Sequence, residues 1–380
     1  MMRAVNAHED VDPRLVAHRP ALVYDPQEAY PAGSAAMITD HPGNVLLDDD
    51  DAVLARAGDD LSLARLTRDP PGARLDEAPD PLAAARWFAG RPGYGARVYG
   101  RVASDGGRTW LQYWIWGYYN PKNLLGLGRH EGDWEMVQVG LAADGAPEVV
   151  TCSQHNVGEA RAWAEVERFE SGDGVHPVIY VAPLSHANYF EPGAHPYLIG
   201  IDNPDGTLAP LLAPVEAFGP WVRWRGRWGN SRGIRGGRLG GASPRSPAHK
   251  GVSWTAPATY HRLAATKAPM RAFGRLLRRA GAFTWPRLTR LDASRGRGAI
   301  DVAWRLGSGA LRGATHLHVT VHSGDGAVLA DAVQRIRGRA GTAAIMLPAT
   351  VVEAGQAAFV RGSAYNPLRQ RSNPLEARIA

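Results

Sequence analysis

Cysteine occurs once in the 380 residues, at Cys152, which excludes an intramolecular disulfide and any zinc site built from several cysteines. The sequence has no run of about 18 apolar residues, the length that a helix needs to cross a bilayer. Residues 1–20 lack the apolar core that a secretory signal peptide needs. These three absences together predict a cytoplasmic protein in a reducing compartment.

Two motifs of nucleotide-binding proteins are also missing. The chain contains neither the Gly-x-x-x-x-Gly-Lys-Ser/Thr loop that cradles phosphates nor the Gly-x-Gly-x-x-Gly fingerprint of dinucleotide-binding folds. Hydrophobic residues make up 44% and charged residues 21% of the chain, which is typical of a folded globular protein. The length of 380 residues predicts two or three folded domains. The missing motifs give no support for a nucleotide site.

Acidic residues are scarce in one segment, where most of the chain's excess of basic residues lies. Between Tyr260 and Ile300, ten lysines and arginines face a single acid, Asp292. Two interpretations stay open: a solvated helix that connects domains, or contact with an anionic membrane through residues 262–279. Nucleic acid is not an expected partner, because no recognised binding module accompanies the basic residues.

Alternating apolar residues between Gly, Pro and Asn turns predict a mainly β protein. We expect a Trp-rich β-sandwich, then a basic helix, then a C-terminal sandwich of the fibronectin type III or immunoglobulin-like kind. The predicted boundaries are an N-terminal tail over 1–20, the first sandwich over 21–259, a basic helical connector over 260–285 and the second sandwich over 286–380.

The segment GRHEGDWEMVQV, residues 128–139, carries three candidate metal ligands at the start of a strand. Residues two apart share a face of a strand, so Asp133 and Glu135 should point to the interior with Val137. Buried carboxylates need compensation, which a divalent cation held together with His130 would provide. One imidazole with hard oxygen ligands favours Ca²⁺, Mg²⁺ or Mn²⁺ over Zn²⁺. A structural cluster paired with arginine is the alternative.

Two further segments, SQHNVGE and LSHANYFEPG, each follow a predicted strand and could meet at one end of a sandwich. They supply His155, His186 and Glu191 as candidate catalytic residues, of which the two histidines could perform acid/base chemistry beside a cation-activated water. For each histidine alone, a satisfied turn residue is the plainer interpretation.

Tryptophan is abundant, with nine of the twelve between Trp87 and Trp228. The plainer interpretation is a sandwich core with arginines stacked on tryptophans. The alternative is an aromatic pocket for an apolar or sugar ligand. The candidate pocket residues are Trp114, Trp116, Tyr118, Trp134, Asn188 and Tyr189.

The run RHEGDWE resembles the GHRHDWE hallmark of the NPP1-like necrosis-inducing proteins, with His130, Asp133 and Glu135 matching its first His, its Asp and its Glu. Gly132 stands where the hallmark has its second His. The resemblance to Vps62-like domain proteins is broader, from YDPQEAYP to the SPRSPAHKGVSW segment, which makes 231–254 a covering loop of the first domain. By resemblance to the upstream Pro-Lys-Asp of the NPP1-like proteins, YYNPKN places Asn123 as a fourth metal ligand.

The NPP1-like resemblance implies a β-sandwich with a metal in a surface cavity. Two functions follow as hypotheses. The first is a metal-dependent enzyme, of the hydrolase or lyase type, that acts on a small or lipid-like substrate. The second is a cytolysin-like module that binds a lipid head group or glycan without catalysis and contacts a membrane through its basic helix.

Overall fold

The structure is a computed structural model and describes most of the chain. The described residues are 11–25, 28, 30–77, 81–120, 130–155, 158–183, 185–193, 195–197, 200–206, 208–230, 243–266, 288–306, 316–324, 328–348, 351, 355–365 and 375–380. The chain forms two compact units. The first contains residues 1–193 and 197–270, and the second contains residues 194–196 and 271–380. Within the described ranges, no helix is both long and apolar enough to span a membrane.

Strands dominate both units, as the sequence predicts. The strands up to residue 217 are β1 (Ala21–Val23), β2 (Val45–Leu47), β3 (Val53–Arg56), β4 (Arg74–Asp76), β5 (Val98–Asp105), β6 (Arg108–Asn120), β7 (His130–Leu141), β8 (Pro147–Cys152), β9 (Glu159–Ala162), β10 (Arg168–Ser171), β11 (Gly174–Val181), β12 (Asn188–Tyr189), β13 (His195–Tyr197), β14 (Gly200–Asp202), β15 (Leu211–Leu212) and β16 (Val215–Ala217). The second unit continues with β17 (Leu288–Arg295), β18 (Ala299–Leu306), β19 (His316–Ser323), β20 (Val328–Arg335), β21 (Ala340–Met346), β22 (Ala357–Tyr365) and β23 (Leu375–Arg378).

The described helices are short. The α-helices are α1 (Pro13–Ala17), α2 (Met37–Asp40), α3 (Leu63–Leu66), α4 (Pro81–Phe88), α5 (Val252–Thr255) and α6 (Pro257–Ala265), and 3-10 turns cover Trp163–Glu165, Pro220–Arg223 and Pro247–His249.

The first unit is a β-sandwich. A six-stranded sheet, in the order β16-β5-β6-β7-β8-β9, packs against a five-stranded sheet in which β11 lies between β10 and β1. Alternate residues of the long strands supply the core between the sheets, because successive side chains of a strand point to opposite faces. Ile115 of β6, Val137 of β7 and Val181 of β11 all lie in this core.

The opposite face of the six-stranded sheet is also covered, by a second core rich in tryptophan. Here Trp116 and Trp134 of the sheet pack against Trp221, Trp224 and Trp228. The rings of Trp116 and Trp228 meet edge to face, with centroids 4.9 Å apart. Small sheets and turns therefore form a third layer. Because both faces of β6 and β7 are covered, neither face has the polar residues of a solvent-exposed surface.

The second unit is the predicted sandwich. Its sheets have the orders β17-β18-β21 and β20-β19-β22-β23. Val302 and Trp304 from one sheet and Val319 and Val360 from the other share one core. The seven strands described in these two packed antiparallel sheets fit the fibronectin or immunoglobulin-like rhythm of the sequence.

Two predicted boundaries differ from the structure. The predicted tail contains α1, which begins after the Asp12 cap, carries Pro13 at its first position and buries Leu15 in the sandwich core. The predicted connector begins inside α6, whose Tyr260 and Ala264 are buried against the first unit. The remainder of the connector, 267–285, lies outside the described residues.

The segment 243–254 belongs to the first unit. The Trp228 amide donates to the carbonyl of Pro244 at 2.8 Å, and the Trp228 indole donates to the Ser246 hydroxyl at 2.7 Å. These contacts anchor the segment on the tryptophan layer.

Candidate functional site

The candidate site lies where β7 begins, between the two sheets of the first unit. Asp133 pairs with Gly117 and Glu135 pairs with Ile115 across β6 and β7. Both carboxylates therefore share the face of Val137, as the alternation of the sequence predicts. Asp133 is 5% exposed, so its charge requires compensation inside the protein.

His186 provides that compensation. Its Nδ1 donates to Asp133 Oδ2 at 3.2 Å, and its Nε2 lies 3.7 Å from Glu28 Oε1. Burial alone would lower the pKa of His186, but the hydrogen bonds and charges of Asp133 and Glu28 raise it to about 10. The imidazole is thus a buried cation between two carboxylates. The acid/base role predicted for His186 stays a prediction.

The close approach of His186 to the sheet depends on a glycine. A Cβ placed on Gly117 would lie 2.8 Å from the His186 ring, which is closer than real side chains pack. His186 itself has φ of +51°, a left-handed conformation that costs a residue with a side chain about 1 to 3 kcal/mol. The surrounding contacts hold the ring against this strain.

The pKa values of Asp133 and Glu135 are shifted in opposite directions. Burial raises the pKa of Asp133, but the hydrogen bond from His186 and the charges of His130, His186 and Lys250 lower it to about 2. Burial and the charge of Asp133 raise the pKa of Glu135 to about 7, although the charge of Lys250 and a hydrogen bond from the Ser153 hydroxyl act to lower it. Two carboxylates with separated pKa values are the arrangement that acid/base chemistry uses.

The raised pKa of Glu135 predicts a pH-dependent fold. Between the ordinary pKa of a glutamate and about 7, the folded state binds more protons than the unfolded state, so stability falls as pH rises. In metal-free protein, the Tm should therefore fall between about pH 5 and pH 8. The fall should be steeper in the wild type than in Glu135→Gln. Thermal unfolding followed by circular dichroism measures both slopes. Parallel curves for the two proteins would contradict the prediction.

His130 has the geometry of a metal ligand in one respect. Its Nδ1 donates to the Gly132 carbonyl at 2.6 Å, which leaves the lone pair of the neutral ring on Nε2. The donor types of His130, Asp133 and Glu135 suit a hard divalent cation. However, no group of three or more such side chains close enough to hold a metal occurs in the described part of the chain. Asn123, the fourth predicted ligand, lies outside the described residues.

The space beside the carboxylates is small. A cavity of about 10 Å³, lined by Asp133, Glu135, His186 and Tyr24 among others, is at the lower limit for one water molecule. Of the four predicted aromatic pocket residues, Trp116 contributes to the lining of this cavity. All four are buried core side chains, at most 1% exposed: Trp114, Trp116, Tyr118 and Trp134. The structure corrects the pocket prediction to the core alternative, because the third layer covers this face of the sheet.

His155 lies in the turn after β8 and binds a carboxylate that the sequence did not indicate. Its Nε2 lies 2.7 Å from Asp202 Oδ2, and the Tyr189 hydroxyl donates to the same oxygen at 2.6 Å. Burial lowers the pKa of His155, but the hydrogen bond and charge of Asp202 and the charges of Glu135 and Asp133 raise it above the ordinary value. The His155 side chain is 28% exposed, so this histidine reaches the surface.

The other predicted site residues have structural contacts. Arg161 donates to Glu191 at 2.9 Å and also to Glu159, so an arginine, and not a histidine, compensates the charge of Glu191. Asn188 is fully buried in β12 and accepts a hydrogen bond from Cys152 Sγ through its carbonyl. Its side-chain amide has no partner among the described residues.

Two acids of the site were missed in the sequence. Glu28 and Asp202 lie 105 and 69 residues from Asp133, by difference of their numbers, and neither stands in a local motif that indicates a site. Only the packing of the sheets brings them to the two histidines.

Neither the protein-family models nor the curated proteins yield a match to this chain. Solved structures of necrosis-inducing proteins are similar to part of it. A mutant of NLPPya is 22% identical over 32% of this chain and 50% of its own length, with a TM-score of 0.23. NLPPya in complex with mannosamine is 17% identical over 55% of this chain and 75% of its own, with a TM-score of 0.29.

Necrosis and Ethylene inducing Protein 2 from the causal agent of cocoa's Witches Broom disease is 16% identical over 54% of this chain and 74% of its own, with a TM-score of 0.25. The chain thus spans about half the length of the first of these structures. At such TM-scores the similarity assigns no ligand and no residue role.

Proposed function

We propose that the first unit is a divalent-cation-dependent enzyme of the hydrolase or lyase type, acting on a small or lipid-like substrate. One observation carries the proposal. Two carboxylates, Asp133 and Glu135, share an interior face, and their pKa values lie far apart, at about 2 and about 7. Strongly perturbed carboxylates held in place by strained neighbours are more typical of functional sites than of sandwich cores.

Each residue has a distinct part in this proposal. His130, Asp133 and Glu135 would hold Ca²⁺, Mg²⁺ or Mn²⁺, with Asn123 as a further ligand. A bound cation supplies a Lewis acid that activates water or polarises a substrate oxygen. His186 stays charged and keeps Asp133 ionised and oriented. His155 reaches the surface and is the group that takes up or delivers a proton.

The cation test compares the wild type with Glu135→Gln, which keeps the size of the side chain and removes its charge. We expect one equivalent of cation in the wild type, measured by elemental analysis and by calorimetric titration of Ca²⁺, Mg²⁺ and Mn²⁺. Glu135→Gln should weaken binding by about 100-fold or more, since loss of even an outer contact costs 10- to 100-fold. Turnover, screened on phosphate, acyl and glycosyl esters, should fall with it.

The matched control is Glu148→Gln. It removes a surface carboxylate of β8 that pairs with Arg108 of β6. It should leave cation affinity and turnover unchanged. Wild-type protein that binds no cation up to millimolar concentration would overturn the proposal, and so would binding that Glu135→Gln leaves intact.

A second function, non-catalytic binding of a lipid head group or glycan, is favoured by one observation. The cavity beside Asp133 has room for about one water molecule, which is too little for a substrate. Membership of a Vps62-like group and membrane contact through residues 262–279 belong to this alternative. Salt-sensitive, cation-dependent sedimentation with anionic vesicles, or binding of amino sugars, without turnover would favour it.

A further inference from the structure

Asp202 is the meeting point of three side chains from different segments. Its Oδ2 accepts from the Tyr189 hydroxyl at 2.6 Å and lies 2.7 Å from His155 Nε2, while its Oδ1 accepts from the Ser185 hydroxyl at 3.0 Å. Asp202 is 6% exposed, whereas the side chain of His155 is 28% exposed. A buried carboxylate thus holds the inner nitrogen of a histidine whose ring reaches the surface.

The chemistry of this pair fixes the tautomer of the ring. An ionised carboxylate only accepts hydrogen bonds, so the hydrogen between the two groups belongs to His155 Nε2. The neutral ring then carries its lone pair on Nδ1. The left-handed backbone of His155, with φ of +37°, is a second constraint, since a residue with a side chain keeps such a conformation only where its surroundings hold it.

We propose that Asp202 is the positioning residue of His155: it fixes the ring in the Nε2–H tautomer and makes Nδ1 the atom that accepts a proton from water or a substrate hydroxyl. The inference rests on the proposed function and deepens it, because it names the reactive atom. When Nδ1 takes up a proton, the ring becomes a cation and the Asp202 carboxylate compensates its charge. Ser185 and Tyr189 keep that carboxylate in place from the segment that also carries His186.

Other charges face His155 as well. Glu135 and Asp133 also raise its pKa, in addition to Asp202. A change at Asp202 alone should therefore reduce the pKa of His155 without abolishing all of the attraction for the proton. The tautomer, in contrast, depends on the Nε2 contact and so reports on Asp202 itself.

The experiment is long-range ¹H–¹⁵N NMR of the histidine rings in the full chain, assigned with a His155→Gln variant. In the wild type, above the pKa of His155, we expect the Nε2–H tautomer. Asp202→Asn should lose this preference, and its His155 should titrate at lower pH than in the wild type. Ser185→Ala is the matched control, since it removes a bond to the other oxygen of Asp202 and should keep the wild-type tautomer.

The wild-type spectrum alone can overturn the inference, so a misfolded variant does not leave it untested. An Nδ1–H tautomer in the wild type would do so, as would an Asp202→Asn spectrum that matches the wild type. Once a substrate is found, Asp202→Asn should lower kcat by about 10²- to 10⁴-fold with KM little changed. An unchanged kcat would equally exclude the positioning role.

Failure of the proposed function is distinguishable from failure of this inference. The NMR experiment needs neither cation nor substrate. Protein that binds no cation yet shows the Asp202-dependent tautomer would exclude the cation-dependent enzyme and keep the His155–Asp202 pair. Protein that binds a cation through Glu135 while Asp202→Asn leaves His155 unchanged would exclude only the role of Asp202.

Discussion

Asp133→Asn is expected to lower the free energy of unfolding by about 3 to 5 kcal/mol, because it removes one partner of a buried ion pair. His186 is 4% exposed and carries a charge that Asp133 contacts at 3.2 Å, whereas Glu28 lies farther away, at 3.7 Å. The asparagine keeps the volume of the side chain but removes its charge. Urea denaturation at pH 7, with the m-value compared between variants, measures the loss.

The pH dependence of this loss follows from the two pKa values. Asp133 has a lowered pKa of about 2, so its contribution is present above the ordinary pKa of an aspartate and is lost as pH falls towards 2. His186 has a raised pKa of about 10, so its contribution is present below the ordinary pKa of a histidine and is lost as pH rises towards 10. The difference between wild type and Asp133→Asn should be largest from about pH 4 to 6.5.

A double-mutant cycle with His186→Gln separates the ion pair from general packing. If the pair acts as the geometry indicates, Asp133→Asn should cost much less in the His186→Gln background than in the wild type. Equal costs in both backgrounds would show that Asp133 stabilises the fold through other contacts.

Gly132→Ala is expected to destabilise the first unit by about 4 kcal/mol, from overpacking and backbone strain together. Gly132 has φ of +59°, and a Cβ there would lie 2.1 Å from the Trp228 carbonyl oxygen and 2.4 Å from the Trp116 ring. The Trp228 carbonyl belongs to the backbone, which cannot move aside as the end of a flexible side chain can. The glycine amide also donates to Glu77 at 3.1 Å, so a displaced backbone would lose this bond too.

Gly145→Ala is the control for the steric part of this effect. Gly145 also has a positive φ, of +85°, but a Cβ there would meet nothing within 4 Å. It should cost only the backbone term, about 1 kcal/mol. Tm and denaturant midpoints of the two variants give the difference directly. Similar losses at both positions would contradict the close packing of the tryptophan layer against β7.

The same position explains a departure from the hallmark that RHEGDWE resembles. Where the hallmark has a second histidine, this chain has Gly132, and the third layer occupies the space that a side chain would need. The sequence alone shows the substitution. It does not show that Trp228, 96 residues away by difference of their numbers, supplies the carbonyl that excludes a side chain.

Local pattern determined the strands and the direction of their side chains. The alternation in TWLQYWIWGYY and DWEMVQV predicted β6 and β7, and it placed Asp133 and Glu135 on the interior face, because a strand repeats every two residues. The rhythm of the last ninety residues likewise predicted the second sandwich. These properties follow from short-range geometry, which the sequence carries in full.

Tertiary packing decided which groups meet. The alternation could not show that both faces of β6 and β7 are covered, so the tryptophans of a predicted pocket are core residues. Nor could it bring Glu28 to His186 or Asp202 to His155, because these contacts join segments that are distant in the chain and are fixed only when the two sheets stack. The sequence by itself determined the sheets and the buried carboxylates, while the partners that set their charge were decided by long-range packing, which no local period encodes.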